Sequence, residues 1–332
     1  MQESPEAKAK RLALLCARYR GGDMRRALAE LSATLGPFVA LIVVMSLVTD
    51  IHYGLALLIA PLASGFLVRI FIIQHDCGHG SFFPSRRAND AAGRILSIFT
   101  FTPYGAWRHE HALHHKGSAH LERRGVGDIK LLTVREYAAL TRFGRMRYRL
   151  LRNPLFLVCI GGPVYFMILN RVPWGRSVPA HEISGSIFGL DATLLVAFLI
   201  TGQLFGFMSV AAIVIPIAIG ASMIGVWLFY VQHQFEDAQW YDGRTWSFRV
   251  AALYGSSYYC LPKPLAWLTG YIGIHTIHHL NLGIPFYRLP ECLDAAPELK
   301  SFNRLTFWGS VSDSVRYKLW DEDRRCLVGY PR

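Results

Sequence analysis

A chain of 332 residues that is 52% hydrophobic, with a mean hydropathy of +0.26, is too apolar for an ordinary soluble domain and reads as an integral membrane protein. Its formal charge of +12 would suit nucleic acid, but the basic residues gather beside apolar runs, as loops facing anionic headgroups require. Six scattered cysteines (Cys16, Cys77, Cys159, Cys260, Cys292, Cys326) form no Cys-x-x-Cys pair and read as free thiols in a reducing compartment rather than a disulfide framework.

Residues 1–34 carry Lys8, Lys10, Arg11, Arg18, Arg20, Arg25 and Arg26 in an Ala/Leu-rich background. They read as a basic amphipathic helix on the cytosolic membrane surface, unlike a cleaved signal peptide. Spans are predicted at about 36–50 and 54–74, separated by the polar turn Thr49-Asp50-Ile51-His52-Tyr53. At 1.5 Å per residue, some 21 residues cover roughly 31 Å, enough for one crossing. Arg69, near the end of the second span, is expected to snorkel toward headgroups. Residues 89–106 read as a helix lying in the interface.

The loop bearing Arg123, Arg124, Lys130, Arg135, Arg142, Arg145, Arg147, Arg149 and Arg152 places its neighbourhood on the cytosolic side. Two spans return the chain to its starting face, so the N-terminus is expected there too. The apolar block 187–231 is long enough for two spans, about 187–207 and 210–231, turning near Gly206 to Ser209. If the histidine clusters described below share one side, an even number of crossings separates them. Pro154 to Leu169, short and broken by Gly161-Gly162-Pro163, then reads as interfacial or re-entrant. The expected fold is an all-α integral membrane protein in the inner (cytoplasmic) membrane. It has about four transmembrane helices, interfacial helices, a membrane domain over 35–332 and a cytosolic histidine-rich cap (75–153 and 232–332), with both termini cytosolic.

Three histidine clusters sit at or after the predicted span ends: His75-Asp76-Cys77-Gly78-His79, then His111 with His114 and His115, then His275 with His278 and His279. On a helix, positions i, i+3 and i+4 share a face, so each cluster can converge on a metal. His233 follows the last span in Gln232-His233-Gln234-Phe235-Glu236. Imidazole alone does not select the metal. Eight or nine histidines are too many for one ion and suit two. His109-Glu110 lacks a histidine at Leu113, which removes the zinc-protease signature. No Glu-x-x-His pairs of a soluble di-iron bundle occur. The chemistry left is a histidine-rich two-iron centre at the membrane surface that uses molecular oxygen. Asp76 and Glu236 are candidates to hydrogen-bond ligand imidazoles. Trp107 either lines an acyl path or anchors at the interface. His109 reads as a solvated flank, and His52, His120 and His181 as surface or interfacial residues.

These boxes resemble those of the membrane fatty acid desaturase family. The resemblance is carried by His75 to Phe82, by Trp107-Arg108 with His111, His114 and His115, and by His275 to Leu280. It extends to Gln232 to Glu236, Gly255 to Tyr259, Leu261-Pro262 and Ile284 to Tyr287, covering roughly residues 35–300. It is similar to the bacterial acyl-lipid branch that includes phospholipid and delta-12 (omega-6) desaturases. The resemblance implies that the eight box histidines ligate two irons and that His233 supplies a ninth ligand. In the animal acyl-CoA desaturases a water-linked asparagine lies four residues before that histidine; here the position is Phe229. The His-Pro-Gly-Gly motif of fused cytochrome b5 domains does not occur, so the resemblance implies a separate ferredoxin-like or similar electron donor.

The expected activity is oxygen-dependent introduction of a double bond into an acyl chain carried by a lipid or thioester. One rival keeps the centre and changes the outcome: a hydroxylase or ketolase acting on a lipid or carotenoid. Another is a metal transporter or metal-binding membrane protein, which would need ionisable groups along the spans. Residues 54–74 offer only Arg69, and 187–231 only Asp191.

Overall fold

A computed structural model describes residues 3–173 and 178–331. Helix α1 (Pro5–Cys16) is followed by α2 (Met24–Thr49), α3 (Tyr53–His79), α4 (Arg86–Thr100) and α5 (Tyr104–Gly117). An irregular helix α6 (Pro154–Arg171) precedes α7 (Ala180–Phe205) and α8 (Phe207–His233). The short α9 (His275–Leu280) carries the last histidine cluster. Strand is confined to two- and three-residue pieces, such as Leu132–Thr133 beside Leu319–Asp321, which pin the C-terminal segment to the cap.

Among the described residues, five helices are long and apolar enough to cross a membrane: α2, α3, α6, α7 and α8. The sequence suggested four, and α6 is the addition. Arg152, just before α6, donates to Gln234, just after α8. At the far end Arg171 pairs with Asp191, near the middle of α7. A little upstream, the Ser186 hydroxyl accepts from the Gly105 and Ala106 N–H groups at the start of α5. Between these ends, Phe166 packs edge-on against Phe71 of α3, and Gly162 abuts Ser222 and Val226 of α8.

Helix α3 is the axis of the molecule, packed by α2, α4 and α8 and largely buried in its apolar stretch. The other long helices turn Val43, Leu47, Leu195, Leu199 and Leu204 outward, and the start of α3 adds Leu58. An apolar belt of this extent needs lipid to cover it. The α7–α8 hairpin turns where expected, at Gly206, whose φ of +87° favours glycine.

The N-terminal segment and Arg69 are both held by protein contacts. Helix α1 buries Ala9, Leu12 and Cys16 against the cap, touching the Phe248–Tyr254 helix and α9, and leaves its opposite face exposed. Its charges find protein partners, Arg11 with Glu298 (2.6 Å) and Lys8 over the Phe302 ring (4.5 Å). The boundary expected at 34/35 also falls inside α2, which starts at Met24 where Asp23 caps the Arg26 N–H (2.8 Å). Arg69 does not snorkel. It is fully buried, bonded to Thr34 Oγ1 (3.0 Å), Glu30 Oε2 (2.5 Å) and the Trp267 carbonyl, with its guanidinium 4.0 Å over the Trp267 ring. These partners come from α2 and from the cap segment near Trp267, so the charge is satisfied by protein rather than headgroups.

Candidate metal centre

The four histidine-bearing elements end at one place. The last turn of α3 presents His75 and His79 one turn apart, and Gly80 (φ +72°) stops the helix directly after them. Helix α5 presents His111 and His115 on one face and His114 beside them. His233 is the last residue of α8, and α9 adds His275, His278 and His279.

The side chains fall into two groups. Nitrogens of His75, His79, His111, His115 and His278 lie within 4.8 Å of one another, and so do those of His114, His233 and His279. His275 joins the second group, with its Nε2 at 3.1 Å from that of His233 and 3.0 Å from that of His279. Within the first group Nε2 separations are 3.3 Å for His75–His79 and 2.9 Å for His111–His115. In the same group His278 Nε2 is 3.3 Å from His115 Nε2, and the two groups abut where the His115 and His279 rings meet, centroids 4.3 Å apart. Ligands held at about 2.1 Å from a shared cation sit about this far apart. Both ring nitrogens of His114 and Nδ1 of His115 and His275 are buried without a hydrogen-bond partner. Burial pushes His111, His114, His115, His275, His278 and His279 well below the usual histidine range, with neighbouring imidazoles acting the same way. Neutral imidazoles offer lone pairs, so the donor set fits metal ions in two adjacent positions.

The surrounding contacts sort the weaker candidates. His75 Nδ1 is 3.0 Å from Asp76 Oδ1, while Asp76 Oδ2 accepts from the Phe286 N–H (2.6 Å). Glu236 is the correction: it is exposed on the cap, with its N–H bonded to Asp313 (3.1 Å), and it touches no box histidine. The role expected of it falls to a group no side-chain pattern reveals, the Gly255 carbonyl, which accepts from His233 Nδ1 (3.0 Å). Trp107 is buried rather than interfacial, stacked on His111 (centroids 4.6 Å) and edge-on to Phe71 (5.3 Å). Phe229 packs its ring on His114 (5.2 Å) and His233 (5.7 Å). His120 is buried, pairing with Glu122 (2.9 Å) against Trp246, and is not the surface residue expected. His52 caps α3 at the Gly54 N–H (3.0 Å), His181 is exposed, and half-buried His109 joins neither group.

A half-open, mainly apolar cavity, with about 430 Å³ of empty space including its mouth, lies on the span side of the cluster, lined by Leu67, Phe71, Phe166, Ala218, Ala221 and Gly225 among others. Phe71 links it to the metal centre through Trp107 and His111.

Helices of membrane-spanning length around a buried multi-histidine cluster define an integral membrane metalloprotein. The fatty acid desaturase family model matches residues 52–309, and the chain belongs to that family. It is 40% identical to a fatty acid desaturase of Bacillus subtilis (strain 168) over 97% of this chain and 91% of that protein. It is 30% identical to the Arabidopsis thaliana acyl-lipid omega-3 desaturase (cytochrome b5) of the endoplasmic reticulum, over 68% of this chain and 60% of that protein. It is 28% identical to the Helianthus annuus chloroplastic sn-2 acyl-lipid omega-3 desaturase (ferredoxin), over 71% and 54% respectively. The chain is therefore an oxidoreductase of lipid metabolism, and neither the hydroxylase nor the transporter reading is favoured.

Proposed function

We propose that this protein is an oxygen-dependent acyl-lipid desaturase whose two irons are held by His75, His79, His111, His115 and His278 in one position and His114, His233, His275 and His279 in the other. The observation that carries the reading is the stacking of the two histidine groups above an apolar cavity that has an aromatic residue, Phe71, at the join. Two irons, when bound, would supply the electrons-and-oxygen chemistry that removes two hydrogens from an unactivated acyl chain.

The protein's own residues do the positioning. Asp76 holds the His75 ring through Nδ1, and the Gly255 carbonyl holds His233. Leu67, Phe71 and Phe166 form a dry wall for a methylene chain, and Ala218, Ala221 and Gly225 leave the room it occupies along α8. A Cβ added at Gly225 meets only Phe166, at 4.0 Å, so that position opens into the cavity.

The histidine side of the molecule is assigned to the cytosol, with α6 dipping in from that side and returning to it; its two ends and the basic 123–152 segment support this. A separate ferredoxin-like protein is the electron donor in this reading.

The test is acyl-chain profiling by mass spectrometry of a bacterial host supplied with iron and a compatible donor. The unmodified protein should add a double bond and His278→Ala should add none, with both accumulating equally in membranes. Gly225→Leu should lower the yield at least several-fold or move the double bond while iron content holds. A hydroxyl or keto product would transfer the assignment to the oxidase rival.

A further inference from the structure

A second, half-open cavity, with about 390 Å³ of empty space including its mouth, touches the other end of the cluster and brings more buried polar groups to it than the acyl cavity does. Its lining includes His114, Ser118, Asp128, Arg152, Tyr230 and His233. Five buried atoms of these residues have no protein partner: Ser118 Oγ, Arg152 Nε, the Tyr230 hydroxyl and both ring nitrogens of His114. The residues themselves are 5%, 2%, 2% and 3% exposed. Other polar groups here are already engaged. Arg152 Nη2 donates to Gln234 Oε1 (2.5 Å), Gln234 Nε2 donates to the Tyr317 carbonyl (2.8 Å), and Asp128 Oδ1 accepts from the Gly125 N–H (2.6 Å).

Protein interiors meet such buried orphans with ordered water, provided the site is roomy and offers two or more polar partners. His114 adds an independent reason. A metal-bound imidazole ordinarily donates from its second nitrogen to a partner that fixes the ring. His75 has Asp76 for this and His233 has the Gly255 carbonyl, whereas Nδ1 of His114 has no protein partner and its residue lines this cavity.

We propose that this cavity is a water port of the metal centre: a small cluster of waters, held by Ser118, Arg152 and Tyr230 and bonded to Nδ1 of His114, through which protons enter and product water leaves. The inference rests on the desaturase reading, whose balance requires such a route. A saturated –CH2–CH2– unit, O2, two electrons and two protons become –CH=CH– and two waters. Two C–H bonds break, the carbon–carbon π bond forms, and oxygen is reduced to water by the two substrate electrons and two from an external one-electron donor. The acyl cavity, walled by Leu67, Phe71 and Phe166, has Thr100, Thr102 and Ser222 as polar lining, and their hydroxyls already donate to Gln74 and to the Thr100 and Ala218 carbonyls.

The experiment uses the iron-loaded full chain in lipid nanodiscs, alone and with Ser118→Val, Tyr230→Phe and both. A high-resolution structure should show water within hydrogen-bond distance of Ser118 Oγ, the Tyr230 hydroxyl and His114 Nδ1. The double variant should keep its iron and its Tm, yet form several-fold fewer double bonds per O2 consumed. Released hydrogen peroxide should make up the difference, with a larger solvent deuterium isotope effect. If the double variant misfolds, either single variant gives the same comparison with a smaller drop. A dry cavity, a bound anion in place of water, or unchanged coupling and isotope effect in iron-replete variants would overturn the port. Should the unmodified protein make no double bond, the functional reading fails, and the density in the cavity still decides whether water is held there.

Discussion

Asp76 and Glu236 look alike in the sequence, each a carboxylate close to a histidine at a span end, and the fold separates them. Asp76 is on the inner face of α3, where the neighbouring ring can turn its Nδ1 onto it and where the Phe286 N–H steadies its other oxygen. Glu236 follows the last helical residue by three positions, after the chain has left the helix, and that turn delivers it to solvent. Asp76→Asn should therefore lower metal affinity by about 10- to 100-fold, the usual cost of losing such a carboxylate. Glu236→Gln should leave it unchanged. Chelator competition followed by metal analysis of the two purified variants separates them, and equal loss in both would refute the assignment. The histidine clusters themselves were readable because i, i+3 and i+4 spacing is a property of the helix alone. Gly255 was not readable, because a main-chain carbonyl leaves no trace in residue type.

Among the elements, α2 and α3 show where composition misleads. Arg69 in an apolar run has two outcomes, reaching water or being paired inside, and the choice depends on what faces it. Glu30 and Thr34, one turn apart on α2, face it, and the Trp267 ring and carbonyl close the other side. Removing one partner of a buried, hydrogen-bonded ion pair costs about 3–5 kcal/mol. Arg69→Ala should lose stability on that scale and loosen α2 from α3, read as a lower Tm in detergent. Glu30→Ala in the Arg69→Ala background should then cost much less than it does alone, and simple additivity would show that the pair is not coupled. The α7–α8 hairpin was legible because Gly206 interrupts an otherwise continuous apolar block, and its backbone (φ +87°, ψ 129°) suits little else. Gly206→Ala should cost about 1–3 kcal/mol through strain alone. The partners of α1 were hidden for the same reason as those of Arg69: a run of basic residues records charge but not the acidic or aromatic partner, and Glu298 and Phe302 lie nearly 300 positions away.

At the scale of the molecule, nine imidazoles from four helices meet in one buried volume, so the fold and the metal must depend on each other. With metal bound to the folded chain alone, stabilisation grows as RT ln(1 + [M]/Kd), about 2.7 kcal/mol at one hundred times Kd. Ferrous iron added to metal-free protein should accordingly raise Tm in a concentration-dependent way, and should do little for His114→Ala/His278→Ala. The metal-free chain carries a pH signature of the same architecture. Burial holds His111, His114, His115, His275, His278 and His279 neutral in the folded state, well below their usual range, while in the unfolded chain each takes a proton near about 6.5. Below that pH the unfolded state binds more protons than the folded one, so stability rises with pH across the window and falls as acid is added. The metal-free protein should thus keep a level Tm above about pH 7 and lose it progressively below about 6.5, and replacing His278 and His279 with glutamine should flatten the slope. Bound iron should move the loss to lower pH, because protons must then displace the metal to reach the ligand nitrogens. Thermal unfolding from pH 5 to 8, with and without iron, measures both curves. A metal-free Tm that did not change with pH would mean that these rings are hydrated in the folded protein, contrary to the burial on which the metal centre depends.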